Sequence, residues 1–313
     1  MRMRYVAGID AGQSSTTAVV VDADGVVLGR GTAGPADHVD EPPGSRKCAD
    51  ACAVALGAAL EAAGLVRDTP LEAVHVGLSG YDDDFDGAPP VFASAHVRLA
   101  HDAPIALAGA VHARPAIAVI AGTGSVAYGE DGAGASVRVG GWGFLFGDEG
   151  SGFAVARDAL ASAMAADDRG ARSPLGDAAL AYFDRRDLRD LATAAQLGRV
   201  TRGELAAFAR VVHDAARLGD PDASAIVAAA AGALAELAGV AIARLKLAGR
   251  SVPIALCGGA FRNDAFFART REQLGVVAPQ APAVRPRYDA AVGAALLAFA
   301  AADLPVPDRV VEG

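Results

Sequence analysis

Two short segments of nearly the same make-up stand 110 residues apart, Gly12 to Gly122, and each carries the residue types that hold phosphate. The first is Asp10 followed by Gly12, Gln13, Ser14, Ser15 and Thr16; the second is Gly122, Thr123, Gly124 and Ser125. Glycines let backbone N–H groups approach an anion, hydroxyls add donors, and a carboxylate at a strand end can hold a hydrated Mg²⁺. A single such turn could equally be an ordinary tight hairpin. Two of them favour the phosphate reading, because together they would clamp a polyphosphate from both sides. Lysine occurs only at Lys47 and Lys246, neither in a glycine-rich loop, so a Walker-type phosphate loop is absent. Neutralisation would fall to a metal and to oriented N–H dipoles.

The segment Gly140 to Gly152 is the most unusual in the chain. It holds Gly140, Gly141, Gly143, Gly147 and Gly150, the only tryptophan, Trp142, and the adjacent acids Asp148 and Glu149 ahead of a helix. Open backbone with paired carboxylates suits a polyol or sugar, since each carboxylate accepts several hydroxyl hydrogen bonds; the plain alternative is a helix entry capped by Asp148 or Ser151. Asp102 closes a strand-like run, Val97 to Asp102, and leads into a helix opened by Pro104. Strand ends of this kind carry ligand sites in open α/β sheets, and a carboxylate there can take the proton of an attacking hydroxyl. It can also simply cap the helix, and His101 reads as a packed or surface residue. Gly258 and Gly259 follow the strand Ile254 to Cys257, with Asn263 beyond, as a strand opening into glycines at a helix start. Asp82, Asp83, Asp84 and Asp86 lack the spacing of a calcium loop and read as a solvated acidic stretch, and Cys48, Cys52 and Cys257 form no zinc pattern.

These candidates sit on a repeated scaffold. Tyr5 to Asp10, Thr16 to Val21 and Val26 to Thr32 read as a three-stranded antiparallel meander with a hairpin at Asp24-Gly25, and Ala116 to Ile120, Val126 to Gly129 and Ser136 to Val139 repeat the plan around Asp131-Gly132. Between them Arg46 to Ala63 has helical spacing and Leu71 to Leu78 is a strand ending at Ser79 and Gly80. After Gly150 the chain turns mainly helical, over Gly152–Ala166, Leu175–Phe183, Asp190–Leu197, Thr201–Leu218 and Pro221–Leu247, before a last alanine-rich helix, Asp289 to Ala302. The expected division is residues 1–113, 114–288 and a C-terminal helix, 289–313, packing back on the first domain.

Glycine accounts for 37 of 313 residues, about 12% against a usual share near 7%, and clusters in these turns. With 28 basic and 37 acidic residues the formal charge of −9 disfavours nucleic acid and anionic membranes as partners and leaves a small molecule. Three cysteines make no disulfide framework, the N-terminus lacks a signal-peptide pattern, and the charge-free apolar runs fall short of a membrane span. A cytoplasmic location is expected.

Gly8-Ile9-Asp10-Ala11-Gly12 with Ser14 to Thr17, Ile120 to Ser125, Gly140-Gly141-Trp142-Gly143 followed by Gly147 to Ser151, and Gly258-Gly259-Ala260 resemble the ordered motifs of the N-acetylglucosamine kinase branch of the BadF/BadG/BcrA/BcrD ATPase family, within the actin, sugar kinase and Hsp70 superfamily. The resemblance covers about residues 5 to 300. It implies an α/β fold of two ribonuclease-H-like domains, with nucleotide and sugar in the cleft between them. It further implies that Asp10 holds Mg²⁺ and its water, that Gly12 to Thr16 and Gly122 to Ser125 grip the phosphates of ATP, and that Gly258, Gly259 and Asn263 flank the adenosine. Asp102 would deprotonate the sugar 6-hydroxyl, while Asp37, His38, Ser79, Gly80, Gly141, Trp142, Asp148 and Glu149 would line the sugar. Asp37 departs from the family's asparagine, which replaces an amide with an acceptor only and favours glucosamine as a second substrate reading. A homodimer stays open.

The other branch of that family, ATPase activators of 2-hydroxyacyl-CoA dehydratase and benzoyl-CoA reductase, needs cluster-binding cysteines beside the phosphate turns, and Ala121 to Val126 has none. A non-catalytic nucleotide switch would need a further domain for which 313 residues leave no room. ROK-type sugar kinases would show a cysteine-rich zinc motif.

Overall fold

The structure, a computed structural model, describes residues 4–36, 41–81 and 85–313. The chain divides into two units, Met1–Arg114 with Arg285–Gly313, and Pro115–Val284, so the second unit closes four residues before the expected 288. Asp37 and His38 lie outside the described residues, as does the run Asp82 to Asp84.

In the first unit β1 (Tyr5–Ala11), β2 (Thr16–Asp22) and β3 (Val26–Ala33) form the antiparallel meander, and β4 (Leu71–Leu78) and β5 (Ser94–His101) extend it in parallel from β1. With the short β11 (Val311–Glu312) on β3, the sheet order is β11-β3-β2-β1-β4-β5. The period-two alternation of a strand sends Tyr5, Ala7 and Ile9 into a core with α1 (Lys47–Ala62), and Val6, Val19 and Ala73 into one with α9 (Ala290–Ala301). The α9 backbone lies directly on β1. A Cβ at Gly8 would collide with the Ala291 carbonyl oxygen and the Ala295 nitrogen, and one at Gly293 would collide with the Ile105 carbonyl of α2 (Asp102–Ala110). Only glycine at both places lets α9 wedge against β1 and α2, and that wedge carries Asp289 to the end of the sheet where β1 ends.

The second unit repeats the meander with β6 (Ala116–Ala121), β7 (Ser125–Glu130) and β8 (Ser136–Gly140), flanked in parallel by β9 (Ile254–Cys257) and β10 (Ala283–Val284) in the order β10-β9-β6-β7-β8. Six helices follow its meander: α3 (Gly152–Asp168), α4 (Pro174–Phe183), α5 (Leu188–Gln196), α6 (Arg202–Arg217), α7 (Pro221–Arg244) and α8 (Asp264–Val277). By length and composition α7 is long and apolar enough to cross a membrane, which the sequence reading missed by counting only its charge-free stretch. Its Ala231, Leu234, Ala235 and Ala238 are instead packed in the core of this unit.

Candidate active site

In the first unit the strand β1 brings Asp10 to its C-terminal end, opposite Gly77 of β4. The following turn is closed by Gly12 N–H donating to the Ser15 carbonyl at 3.0 Å, and buried Thr16 donates from Oγ1 to the Gly34 carbonyl at 2.9 Å. Gln13 is half-buried and Ser14 and Ser15 are exposed, so the tip of the turn faces solvent. Ser79 N–H donates to the Ala11 carbonyl at 2.9 Å, which docks the end of β4 beside the turn, with Gly80 exposed behind it at φ 77°.

Asp102 is the first residue of α2, not the last of β5, and the helix cap is His101, whose Nδ1 accepts the Ala103 N–H at 3.0 Å. The same Nδ1 lies 2.9 Å from Asp102 Oδ1. Capping requires a bare Nδ1 and the Asp102 contact requires a proton there, so one nitrogen is contested by a helix N–H and a carboxylate. The start of α2 stands on β4: a Cβ at Gly77 would come within 3.2 Å of the Asp102 Cα.

A residue that the sequence reading missed joins them. Asp289 caps α9, its Oδ1 accepting the Val292 N–H at 2.9 Å, and its Oδ2 pairs with Arg30 Nη1 at 2.7 Å; Arg30 in turn is bridged to Glu312 of β11. Burial, then the charge of Asp102, then that of Asp289 push the Asp10 carboxyl up to about 7. Burial first, and the two neighbouring carboxylates second, hold a proton on Asp10, and a cation beside it would oppose both. Among the described residues no group of three or more His, Cys, Asp or Glu forms a metal cage. A Mg²⁺ ion at this place would rest on one or two of the carboxylates, with water and substrate phosphates supplying its other ligands.

In the second unit the turn Gly122 to Ser125 is locked from within and from behind. Gly122 N–H donates to the Gly124 carbonyl at 2.9 Å, Gly152 N–H at the start of α3 donates to the Gly122 carbonyl at 2.8 Å, and Ser125 Oγ donates to the Glu149 carbonyl at 2.8 Å. Asp148 is 5% exposed and takes the left-handed conformation, φ 66°. Its Oδ1 accepts the Ser125 N–H at 3.1 Å, and its Oδ2 is 2.7 Å from Arg202 Nη2. Burial raises the Asp148 pKa, against the Ser125 N–H and Arg202, which lower it. Thus Asp148 braces the turn Gly122 to Ser125, a structural duty separate from the hydroxyl binding expected from the sequence. Glu149 is exposed, as are Gly141 and Trp142, the latter at 73%.

Gly258, at φ 97°, packs so tightly on β6 that a Cβ would strike the Ala121 carbonyl, whereas Gly259 borders open space. Asn263 spends its Oδ1 on the Phe266 N–H at 3.0 Å as the cap of α8, which leaves its amide nitrogen for a ligand. Arg202, the other residue missed, was visible only as the position after Thr201 in a Thr201–Glu204 capping box.

Residues 7–298 match the BadF/BadG/BcrA/BcrD ATPase family. An N-acetylmuramic acid/N-acetylglucosamine kinase of Clostridium acetobutylicum is 30% identical over 96% of this chain and 100% of its own length, and an N-acetyl-D-glucosamine kinase of Dictyostelium discoideum is 26% identical over 93% and 97%. A solved structure from Chromobacterium violaceum, described as a candidate N-acetylglucosamine kinase, aligns with a TM-score of 0.77 at 31% identity over 94% of this chain and 99% of that one.

Proposed function

Because the chain belongs to the BadF/BadG/BcrA/BcrD ATPase family, we propose that it is an ATP-dependent hexosamine kinase that phosphorylates the 6-hydroxyl of N-acetylglucosamine. The observation that carries this reading is the arrangement at the end of the first unit's sheet: Asp10 at the end of β1 beside the Gly12–Ser15 turn, Asp102 at the start of α2 over Gly77 of β4, and Asp289 at the cap of α9 against Gly109 of α2. The sugar kinases among its relatives support the acceptor class.

In this reading the turns at Gly12 to Thr16 and Gly122 to Ser125 bind the phosphates of ATP, with Gly258, Gly259 and Asn263 against the adenosine. Asp10 would hold Mg²⁺ through water; when bound, the ion neutralises charge on the phosphates and orients them. Asp102 would accept the proton of the attacking sugar hydroxyl as its oxygen bonds to the γ-phosphorus and the bond from that phosphorus to the β,γ-bridging oxygen breaks, with ADP leaving. His101 could hold the Asp102 carboxylate only with a proton on Nδ1, which would give up its cap on the Ala103 N–H. Ser79, Gly80, Gly141, Trp142 and Glu149 would contact the sugar, and Asp148, buried with both oxygens engaged, would reach a sugar hydroxyl only by giving up one of those partners. Little covalent work falls to the protein, so positioning and charge stabilisation supply most of the rate.

The test is a coupled ADP-release assay at saturating Mg-ATP over N-acetylglucosamine, glucosamine, N-acetylmuramic acid and glucose, with the product's phosphate position read by NMR. N-acetylglucosamine is expected to turn over fastest. Absence of sugar-stimulated ADP release across the panel would overturn the assignment.

A further inference from the structure

Asp148 is an expensive residue to keep. A non-glycine residue in the left-handed region is strained, and a buried carboxylate without a counter-charge is strongly disfavoured. The first cost is accepted at Asp148 and the second is met by a counter-charge, and the carboxylate lies so close to the turn Gly122 to Ser125 that a Cβ at Gly124 would come within 2.9 Å of its Oδ2. The counter-charge is Arg202, at the first position of α6. Its guanidinium is steered from three elements: the capping box that starts α6, the Phe144 ring of the glycine-rich segment at 5.0 Å, and the Phe153 ring of α3 at 5.8 Å. Such fixing is what a positioning cation needs, because a planar guanidinium held over two rings keeps its N–H fork in one orientation.

We propose that Arg202 is a positioning residue for Asp148 and, through it, for the phosphate turn Gly122 to Ser125. The inference rests on the reading of that turn as a nucleotide-binding element. Arg202 keeps Asp148 ionised and pointed so that Oδ1 receives the Ser125 N–H; without it the carboxylate takes up a proton or turns away, and the turn loses its brace. The charged groups acting on Asp148 are Arg202 from α6, which favours ionisation, and the neighbouring Glu149, which opposes it.

Binding of a fluorescent ATP analogue with Mg²⁺, in the absence of sugar, separates this role from catalysis. Arg202→Gln should weaken binding about tenfold and Arg202→Lys, which keeps the charge, less than about threefold, within the range of contacting-pair couplings. Asp148→Asn should weaken it about as much as Arg202→Gln, and adding Arg202→Gln to Asp148→Asn should cost less than about twofold more. Wild-type affinity in Arg202→Gln, or an undiminished loss in the Asp148→Asn background, would overturn the proposal. If Arg202→Gln melts below the assay temperature, Arg202→Lys and the double variant, which has no buried charge to strand, carry the decision. A wild-type protein that binds the analogue but phosphorylates no sugar refutes the kinase assignment alone; one that does not bind the analogue refutes this inference too.

Discussion

Arg30 Nη1 lies 2.7 Å from Asp289 Oδ2, so the cap of α9 is tied to β3 as well as to its own helix. Asp289 therefore has two separable duties, capping and charge. Asparagine caps nearly as well as aspartate, whereas alanine forfeits about 1 kcal/mol. Asp289→Asn should melt close to the wild type, while Asp289→Ala melts lower by that amount. Both remove one of the carboxylates that hold the Asp10 proton, so the acid limb of kcat/KM should move to lower pH in both. An unmoved limb in Asp289→Asn would remove Asp289 from the electrostatics of the site.

Asp102→Asn keeps the shape of the side chain and removes its ability to accept a proton. In the hexosamine-kinase reading it should lower kcat by about 10²- to 10⁴-fold, the usual share of a general base. Sugar affinity, read by calorimetry, should change less than about tenfold, on the scale of one lost hydrogen bond. Near-normal turnover would disqualify Asp102 as the base.

What could be read from sequence was what is local. The two meanders showed themselves because a strand alternates every second residue and Asp-Gly marks its hairpin, and the turns at Gly12 and Gly122 followed as the loops between them. The helix α8 went unread because its Phe266, Phe267 and Thr270 alternate with Arg269, Arg271 and Glu272 just after a glycine pair that reads as loop. Asp289 and Arg202 were legible as helix starts but not as parts of a site. Asp289 comes within electrostatic reach of Asp10, 279 residues away in the chain, because Gly8 and Gly293 let α9 press against β1 and α2. Arg202 meets Asp148 across 54 residues. No periodicity encodes either pairing.

Trp142 is the only tryptophan in the chain and is 73% exposed. Should sugar bind against it, its indole leaves water, and the emission maximum should move to the blue as N-acetylglucosamine is titrated. The shift should saturate at the same concentration that half-saturates turnover, and Trp142→Phe should abolish the signal. Titration without spectral change would place the sugar elsewhere than against Trp142.

Two buried groups pull the pH dependence of stability in opposite directions. Asp10 in the folded state keeps its proton up to about 7 against an ordinary 3.8, so between these values the folded state holds more protons than the unfolded and stability falls as pH rises. His75 of β4 is buried with neither ring nitrogen hydrogen-bonded, and burial, aided by Arg98, lowers its pKa to about 4 from 6.5. There the unfolded state holds more protons, and stability rises with pH between about 4 and 6.5. Each shift corresponds to a few kcal/mol at most, roughly 1.4 per pH unit, so in the wild type the two slopes largely offset each other. Urea titrations without nucleotide or Mg²⁺ should separate them. Asp10→Asn should gain stability over the wild type progressively from pH 4 to 7.5, because it removes a carboxyl that ionises at a cost. His75→Met, which fills the site with an adaptable apolar side chain, should gain over the wild type as pH falls from 6.5 to 4, because it removes a ring that protonates at a cost. Variants whose stability runs parallel to the wild type across this range would show that neither group is titrating as its burial dictates.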